Sequence, residues 1–158
     1  MAGRITKAEA QLKPDPRYGN KHLSRFINCI MLDGKKAVAQ RVVYAAFDLI
    51  EEKTKGEPTA IEVWERAIEN VKPRVEVRSK RVGGANYQVP MQVSRKRTQS
   101  LAFRWIITSA RQDKGKPMAQ RLAKELYDAS RSEGKAMSIR EQTHRMAEAN
   151  KAFAHFRI

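Results

Sequence analysis

Cysteine and membrane-length apolar runs are what this sequence most conspicuously lacks. Its 158 residues include one cysteine, Cys29, which excludes a disulfide scaffold and a cysteine-based zinc module and is typical of a reducing cytosol. The longest strongly apolar run without a charge, residues 26–32, is too short to span a bilayer. The first ten residues lack the apolar core of a signal peptide. We therefore expect a cytoplasmic protein with no membrane partner.

Acidic residues are also scarce, and the imbalance indicates the chemistry of a partner. Lys and Arg number 32 against 17 Asp and Glu, a formal net charge of +15. Such a charge repels itself in a compact chain and suits a polyanionic ligand. The excess is localised: residues 72–97 contain eight basic residues and one acid, whereas residues 35–71 contain six basic and seven acidic ones. The contrast predicts a directional surface, with residues 35–71 turned away from the polyanion.

Apolar residues recur at helical spacing through most of the chain. The predicted helices begin near Asn20, Lys35, Pro58, Ser94, Met118 and Ser138. The helix after Ser94 is apolar on most sides, which predicts a central position. In the helix of residues 35–53, the stripe expected to face the core is Val38, Val42, Ala45, Ala46 and Leu49. Pro58 is expected in a first turn, and Ser138 with Glu141 has the spacing of a capping box.

The spacing of apolar residues changes to two between residues 75 and 93, around Gly83-Gly84. Two alternating runs about a glycine pair predict a β-hairpin, and Pro90 favours a two-stranded ribbon because proline cannot donate to a central ladder. The sequence thus predicts a mainly α fold in one domain over residues 1–158. It is a bundle of about six helices with an inserted β-hairpin arm at 72–93, an extended basic tail at 1–19 and a C-terminal tail at 152–158.

The hairpin and its flanks carry the strongest functional signal, because their cations have only Glu76 as a local acid. These cations are Lys72, Arg74, Arg78, Lys80, Arg81, Arg95, Lys96 and Arg97. We expect a partner's phosphates to hold this arm, with Tyr87 and Gln88 meeting sugar or base. A solvated hairpin whose charged edge prevents aggregation is the alternative.

Three further segments could contact phosphate. Gly34-Lys35-Lys36 and Lys114-Gly115-Lys116-Pro117 each lead into a predicted helix, where backbone N–H groups attract anions, although a solvated turn explains either equally well. The C-terminal end interleaves aromatic and basic residues on what we expect to be a mobile segment, suited to stacking or simply frayed. Its residues are His144, Arg145, Lys151, Phe153, His155 and Arg157.

Catalytic and metal sites are not indicated. Cys29 is expected to be a small packed residue, and Trp64 and Trp105 are expected in the core. The three histidines have neither i,i+4 spacing nor a nearby cysteine, so we expect no metal and no cofactor. An RNA-processing enzyme would need converging acids or a paired histidine, and the basic segments have almost no carboxylates.

Several motifs resemble those of bacterial small ribosomal subunit protein seven. They are residues 21–31 (KHLSRFINCIM), 33–36 (DGKK), 42–45 (VVYA), 72–78 (KPRVEVR), 83–90 (GGANYQVP) and the run 95–111 with AFRW. The likeness covers nearly the whole chain in order. His22 departs from it, since the family usually has an aliphatic or acidic residue there.

The resemblance implies a primary 16S rRNA-binding protein that nucleates assembly of the subunit head, the 3′ major domain, without catalysis. It implies rRNA contacts for Lys35, Lys36, Lys72, Arg74, Arg78, Arg95, Lys96, Arg97, Lys114 and Lys116. It implies proximity to the exit-site tRNA, with mRNA nearby, for Lys80, Arg81, Gly83, Gly84, Asn86, His144 and Arg145. Neighbouring small-subunit ribosomal proteins are the other implied partners. An architectural DNA-binding protein with a β-ribbon arm is the alternative function.

Overall fold

The structure is a computed structural model that describes residues 8–156. Its elements are α1 (Ala8–Gln11), α2 (Lys21–Ile30), α3 (Lys36–Thr54), α4 (Ala60–Val71), β1 (Val75–Val82), β2 (Ala85–Gln92), α5 (Arg95–Gln112), α6 (Met118–Ser130), α7 (Lys135–Ala149) and a 3₁₀ helix (Lys151–Phe156). The predicted mainly helical fold with a β-hairpin is confirmed, and α2–α7 are the six helices expected. None of the helices described is both long and apolar enough to cross a membrane.

An aromatic group at the centre of the bundle ties α2, α4 and α5 together. The Phe26 ring lies edge-on to Trp64 and to Phe103, with centroids 5.7 and 5.2 Å apart. All three side chains are buried, and edge-to-face contacts add to the stabilisation that burial gives. α5 packs against α2, α4, α6 and α7, and it shares the predicted central position with α4 and α6, which also pack against four helices each. Trp105 is only partly buried against this core.

Residues 8–19 do not form the extended tail predicted for residues 1–19, whose first seven residues lie outside the described range. The buried Asp15 carboxylate accepts the backbone N–H groups of Arg17 and Tyr18 and, at 2.6 Å, the hydroxyl of Tyr44 on α3. The Tyr18 ring then packs on Phe47. The turn at Asp15 is local and can be predicted from sequence. Its hydrogen bond to Tyr44 cannot be predicted from the spacing of apolar residues, because Tyr44 is 29 residues away.

The buried face of α3 is rotated from the predicted stripe. Ala39, Val43, Ala46, Phe47 and Ile50 are buried, whereas Val38 and Ala45 are exposed and Val42 and Leu49 are partly buried. Both sets have helical spacing, so spacing alone could not choose between them. The set with the larger side chains at its carboxyl end packs inward because it removes more apolar surface from water.

Two helices begin at positions other than those predicted. Pro58 lies before α4 rather than in its first turn, and Thr59 with Glu62 forms a capping box at the start of this helix. α7 begins at Lys135, so the Ser138–Glu141 capping box is wrong. Its cap comes from α6 instead: the buried Glu125 carboxylate accepts the backbone N–H of Ala136 at 2.8 Å. Such a tertiary cap leaves no local sequence signal.

The hairpin pairs antiparallel from Val75 opposite Gln92 to Val82 opposite Ala85. Gly83 and Gly84 both have positive φ, 58° and 84°, as the type I′ turn of a two-residue hairpin requires. The predicted ribbon and turn are confirmed.

The C-terminal segment packs on this ribbon and is not the mobile tail expected. The Tyr87 ring lies 5.2 Å from Phe153 and 5.0 Å from Phe156 between centroids, and Lys80 Nζ donates to the Phe156 carbonyl at 2.8 Å. Tyr87 and the two phenylalanines thus support the ribbon, because a two-stranded sheet gains stability from packing against other elements. Tyr87 packs against these rings rather than standing free to meet a base. Arg157 lies outside the described residues.

Candidate nucleic-acid interface

Helices α2 and α5 lie side by side and run in the same direction. At their amino ends, His22 Nδ1 and Gln99 Nε2 are 2.7 Å apart. At their carboxyl ends, the Arg111 guanidinium donates to the Ile30 carbonyl at 3.0 Å. These contacts join α2 to the longer α5 near both of its ends, and the basic residues near those ends form two groups.

The amino-end group is formed by Lys21, Arg25, Lys72, Arg95 and Lys96. Arg95 lies between two adjoining grooves, one shared with Lys21, Arg25 and Lys96 and the other with Lys72. The first turn of α5 contains Arg95, Lys96 and Arg97 and no acid. Cations oppose the helix dipole at this end. Glu76 and Glu9 pair with Arg97 and Lys96, and Arg95, which pairs with no acid of the described residues, is left to meet an anion.

The carboxyl-end group is formed by Lys35, Lys36, Arg111, Lys114, Lys116 and Arg121. Lys35, Arg111 and Arg121 line one groove, and Lys114 and Lys116 are exposed on the loop after α5. Arg121 donates to the carbonyls of Arg111 and Asp113, which attaches this loop to the groove. The 16 residues from Arg95 to Arg111 place the two groups roughly 24 Å apart.

Several cations of the hairpin region form ion pairs, although the sequence suggested that nearly all of them would be free. Glu76 is buried and binds two arginines: Arg78 at 2.7 Å and Arg97 at 3.2 Å. Two further acids lie close to the predicted cations, Glu69 beside Lys72 and Glu9 beside Lys96. The expectation that Glu76 is the only acid facing these cations was therefore wrong, since folding brings in Glu9 and the last turns of α4.

The remaining predicted rRNA contacts make no ion pair within residues 8–156. They are Lys35, Lys36, Arg74, Arg95, Lys114 and Lys116, and all six are exposed. Their charges are free to meet phosphate without breaking an existing pair.

The lowered pKa of the Glu76 carboxyl indicates that its two ion pairs stabilise the folded protein. Burial alone would raise the pKa of this carboxyl, but hydrogen bonds from Arg97 and Arg78 outweigh it and hold the pKa below its ordinary value. The carboxylate therefore stays ionised near neutral pH and joins β1 to α5. The triad of one acid and two arginines keeps one net positive charge at the base of the hairpin.

The residues expected near tRNA are divided between the tip of the hairpin and α7. Arg81, Gly83, Gly84 and Asn86 are exposed at the tip, and Arg145 is exposed on α7. Lys80 is bound to the C-terminal segment. His144 is occupied as well, since its Nε2 accepts the backbone N–H of Arg74 at 3.2 Å. The structure thus leaves the tip and Arg145 open while Lys80 and His144 support the arm.

The contact of His144 predicts a pH dependence of stability. Burial, assisted by the charges of Arg140 and Arg74, lowers the pKa of His144 below 6.5, and only the neutral ring can accept the Arg74 N–H. The unfolded chain then binds the proton more readily, so this stabilisation is full above about pH 6.5 and is lost as pH falls from there through the lower pKa of the folded protein.

We expect urea titrations at pH 7.5 and 5.5 to give a lower free energy of unfolding at the lower pH. The decrease should be smaller in His144→Gln, whose amide oxygen can accept the same bond, and unchanged in His155→Gln on the exposed C-terminal segment. An equal decrease in the wild type and in His144→Gln would contradict this role.

Acidic residues lie along α3 and α4. Glu52, Glu62, Glu65 and Glu69 are exposed, and Glu65 and Glu69 line the groove that Lys72 and Arg95 share. Within the described ranges no group of His, Cys, Asp and Glu could hold a metal ion. Cys29 is exposed on α2 rather than packed as predicted, because the buried face of this helix is formed by Leu23, Phe26, Ile27 and Ile30. Partial burial raises the pKa of its thiol, and the charges of Arg25 and Arg104 oppose that rise.

The sequence reading missed four basic residues of the two groups: Lys21, Arg25, Arg111 and Arg121. Each lies on a helix that was predicted from the spacing of its apolar residues. Lys21 and Arg25 are spaced i,i+4 on the polar side of α2, a signal that sequence alone offered. Arg111 and Arg121 come together only through the loop between α5 and α6.

Comparisons with known proteins all indicate one family. A family model described as ribosomal protein S7p/S5e matches residues 2–151. The chain is 60% identical over 154 residues to small ribosomal subunit protein uS7 of Rhodopirellula baltica, with 98% of each chain covered. It is 55% identical to that of Polynucleobacter asymbioticus over the whole of both chains. With that of Thermotoga maritima it shares 54% identity, over 93% of this chain and 94% of the relative.

Proposed function

The chain belongs to the ribosomal protein S7p/S5e family, and from that premise we propose that it binds 16S rRNA in the 3′ major domain and nucleates assembly of the small-subunit head. The resemblance inferred from the motifs is confirmed by the family match. The role is structural, and no catalytic step is assigned. We propose that residues 1–158 act as a single rRNA-binding domain of the cytoplasmic ribosome.

The observation that carries this proposal is the pair of basic groups at the two ends of α5. Two clusters roughly 24 Å apart suit a folded RNA that presents phosphates from more than one helix. Shape and phosphate contacts of this kind are how proteins recognise structured RNA.

The proposed rRNA contacts fall into two kinds. Lys35, Lys36, Arg74, Arg95, Lys114 and Lys116 bind phosphate directly, because they are exposed and free of ion pairs with described residues. Lys72, Arg78, Lys96 and Arg97 are held by carboxylates. These four keep the hairpin and the start of α5 in position and add a smaller share of the charge.

The hairpin tip is the proposed contact with exit-site tRNA, close to mRNA. Arg81, Gly83, Gly84 and Asn86 project from the bundle, and the glycines let the backbone approach a ligand closely. Arg145 is a separate proposed contact on α7, where it is exposed, while Lys80 and His144 fix the arm that presents the tip.

A competition experiment separates this function from architectural DNA binding. Labelled 3′ major domain rRNA is bound by the purified chain and challenged with equal masses of a multi-helix rRNA junction or duplex DNA. We expect the junction to displace the label at much lower concentration than the duplex, because the two basic groups match phosphates of differently oriented helices. Preferential displacement by duplex DNA would favour a ribbon inserted in a DNA groove.

A further inference from the structure

The hairpin arm leaves the bundle through one peptide group that two helices hold from opposite ends. The Pro73 carbonyl accepts a hydrogen bond from the Thr98 hydroxyl on α5 at 2.7 Å. The N–H of the same peptide group belongs to Arg74, and it donates to His144 Nε2 on α7 at 3.2 Å. Because a peptide group is planar, the two bonds together fix its orientation between α5 and α7. We call these two bonds the base clamp.

The sequence explains why this peptide group needs partners from side chains. α4 ends at Val71, and the residue before a proline avoids helical backbone angles, so Pro73 turns the chain out of the helix. β1 begins only at Val75. Pro73 is buried, and buried backbone groups are nearly always hydrogen-bonded. Thr98 and His144 therefore supply the partners that the helix and the strand do not.

The base clamp lies where a small rotation is amplified along the arm. Gly83 at the tip comes nine residues after Arg74. An extended chain rises about 3.3 Å per residue, so the tip lies roughly 30 Å from the clamp. A rotation of about 10° at the base would displace the tip by about 5 Å, which is more than the length of a hydrogen bond. Any contact that the tip makes therefore depends on the angle at the base.

The other supports of the arm differ from the base clamp in position or in charge. Arg97 reaches the arm from α5 as an ion pair with Glu76, and Tyr87 packs on the C-terminal segment farther along the arm. The base clamp acts at the start of the arm through two side chains that are uncharged near neutral pH, since the pKa of His144 is lowered below 6.5. Replacing Thr98 and His144 therefore removes no cation from the surface proposed to bind rRNA.

We propose that Thr98 and His144 are positioning residues that set the angle of the arm to the bundle and thereby place its tip, residues 81–86, against the exit-site tRNA. The inference rests on the proposed function and assigns the orientation of the tip to two residues that act through the arm. Because the two bonds come from different helices, the angle of the arm follows the positions of α5 and α7 in the bundle that binds rRNA.

The test measures the angle of the arm in the full chain without RNA. Nitroxide labels at the native Cys29 on α2 and at Ala85→Cys on the exposed tip report the distance from the bundle to the tip by pulsed electron paramagnetic resonance. Thr98→Val with His144→Leu removes the donor and the acceptor at similar side-chain size. Thr98→Ser with His144→Gln keeps a hydroxyl and an acceptor in their places.

Thr143→Val is the matched control, because its hydroxyl bonds to the Ile139 carbonyl within α7 and not to the arm. Thermal melting of every variant sets a temperature at which all of them are folded. The same variants without labels are then assembled into reconstituted small subunits, and their affinity for exit-site tRNA is compared with their affinity for a transcript of the 3′ major domain.

We expect the Val/Leu variant to shift or broaden the label distance by about 5 Å. The arm should stay on the bundle, because the Glu76 pair and the Tyr87 contacts remain. Exit-site tRNA should bind roughly tenfold more weakly, about the loss of one hydrogen bond to a charged group. The affinity for the transcript and its salt dependence should match the wild type, because no cation is removed. The Ser/Gln variant and Thr143→Val should behave like the wild type in every measurement.

Four results would overturn the assignment. They are an unchanged label distance in the Val/Leu variant, an equal loss of transcript and tRNA affinity, a Ser/Gln variant that fails to restore the distance, and weaker tRNA binding without any change in distance. The last result would show that His144 binds tRNA directly. A wild-type chain that fails to bind the transcript would overturn the proposed function itself, whereas the label distance would still decide whether the base clamp orients the arm.

Discussion

Replacing Lys35 and Lys36 with glutamine is expected to weaken binding of 3′ major domain rRNA by about thirtyfold at 0.1 M salt. Both lysines are exposed and pair with no acid of residues 8–156, so each can neutralise a phosphate. Each neutralised phosphate contributes roughly 0.7 to 0.9 to the slope of log K against log salt. The double variant should therefore flatten the slope by about 1.4 to 1.8 in a filter-binding titration.

A matched pair of cations outside the two basic groups separates local contact from net charge. Lys55→Gln with Arg66→Gln removes the same two charges from exposed positions after α3 and on α4. We expect this pair to leave the slope nearly unchanged, because distant surface charges are largely screened beyond the Debye length. An equal flattening by both pairs would show that total charge, and not the placement of cations, determines binding.

Replacing Glu76 with alanine should have the largest effect on the fold among the charged residues of the hairpin. The buried carboxylate joins Arg78 of β1 to Arg97 of α5, and charge-assisted hydrogen bonds of this kind contribute about 2 kcal/mol when lost. We expect a decrease of that size in the free energy of unfolding, measured in urea at pH 7. The free energy of rRNA binding at low salt should decrease by less than the free energy of unfolding does, because the change frees Arg78 and Arg97 to meet phosphate.

Glu69→Ala is the control for this change. It removes one acid that also pairs with a basic residue, Lys72, but the Glu69 side chain is 74% exposed. Exposed pairs contribute between zero and about 1 kcal/mol, so the free energy of unfolding should hardly change. Similar losses in Glu69→Ala and Glu76→Ala would contradict the view that the Glu76 pairs hold the arm in place.

The pH dependence of the Glu76 contribution follows from its lowered pKa. The unfolded carboxyl takes up a proton near its ordinary value of 4.5, while the folded one resists protonation. The stabilisation is thus present above about pH 4.5 and is lost as pH falls through the folded pKa. This range begins lower than that of His144, which begins near pH 6.5.

The six long helices and the hairpin could be predicted because their signals are local. Periodic apolar residues predict α2 and α5, and the Gly83-Gly84 pair predicts the turn of the ribbon. The Tyr87 contact with Phe153 and Phe156 could not be predicted, since it joins two segments far apart in sequence. The cap that Glu125 gives to α7 was missed for the same reason.

For the interface, composition located the basic segments but could not tell which basic side chains pair with an acid and which stay free. Glu76 and Arg78 are two residues apart on one strand, so their pairing was within reach of sequence reasoning, whereas Arg97 joins them only because α5 starts beside β1. The parallel course of α2 and α5, which gathers the two basic groups, depends on the packing of Phe26 against Phe103. Packing decides which cations remain free.

The central claim is that rRNA lies against the side of the bundle formed by α2 and α5. Cys29 is exposed on that side of α2, so an iron chelate that generates hydroxyl radicals can be attached to the wild-type chain. The control carries the chelate at Glu52→Cys in a Cys29→Ser background, on the exposed acidic side of α3. In complexes with 3′ major domain rRNA, the claim predicts strong strand cleavage from Cys29 and little from position 52. Equal cleavage from both, or stronger cleavage from position 52, would contradict it.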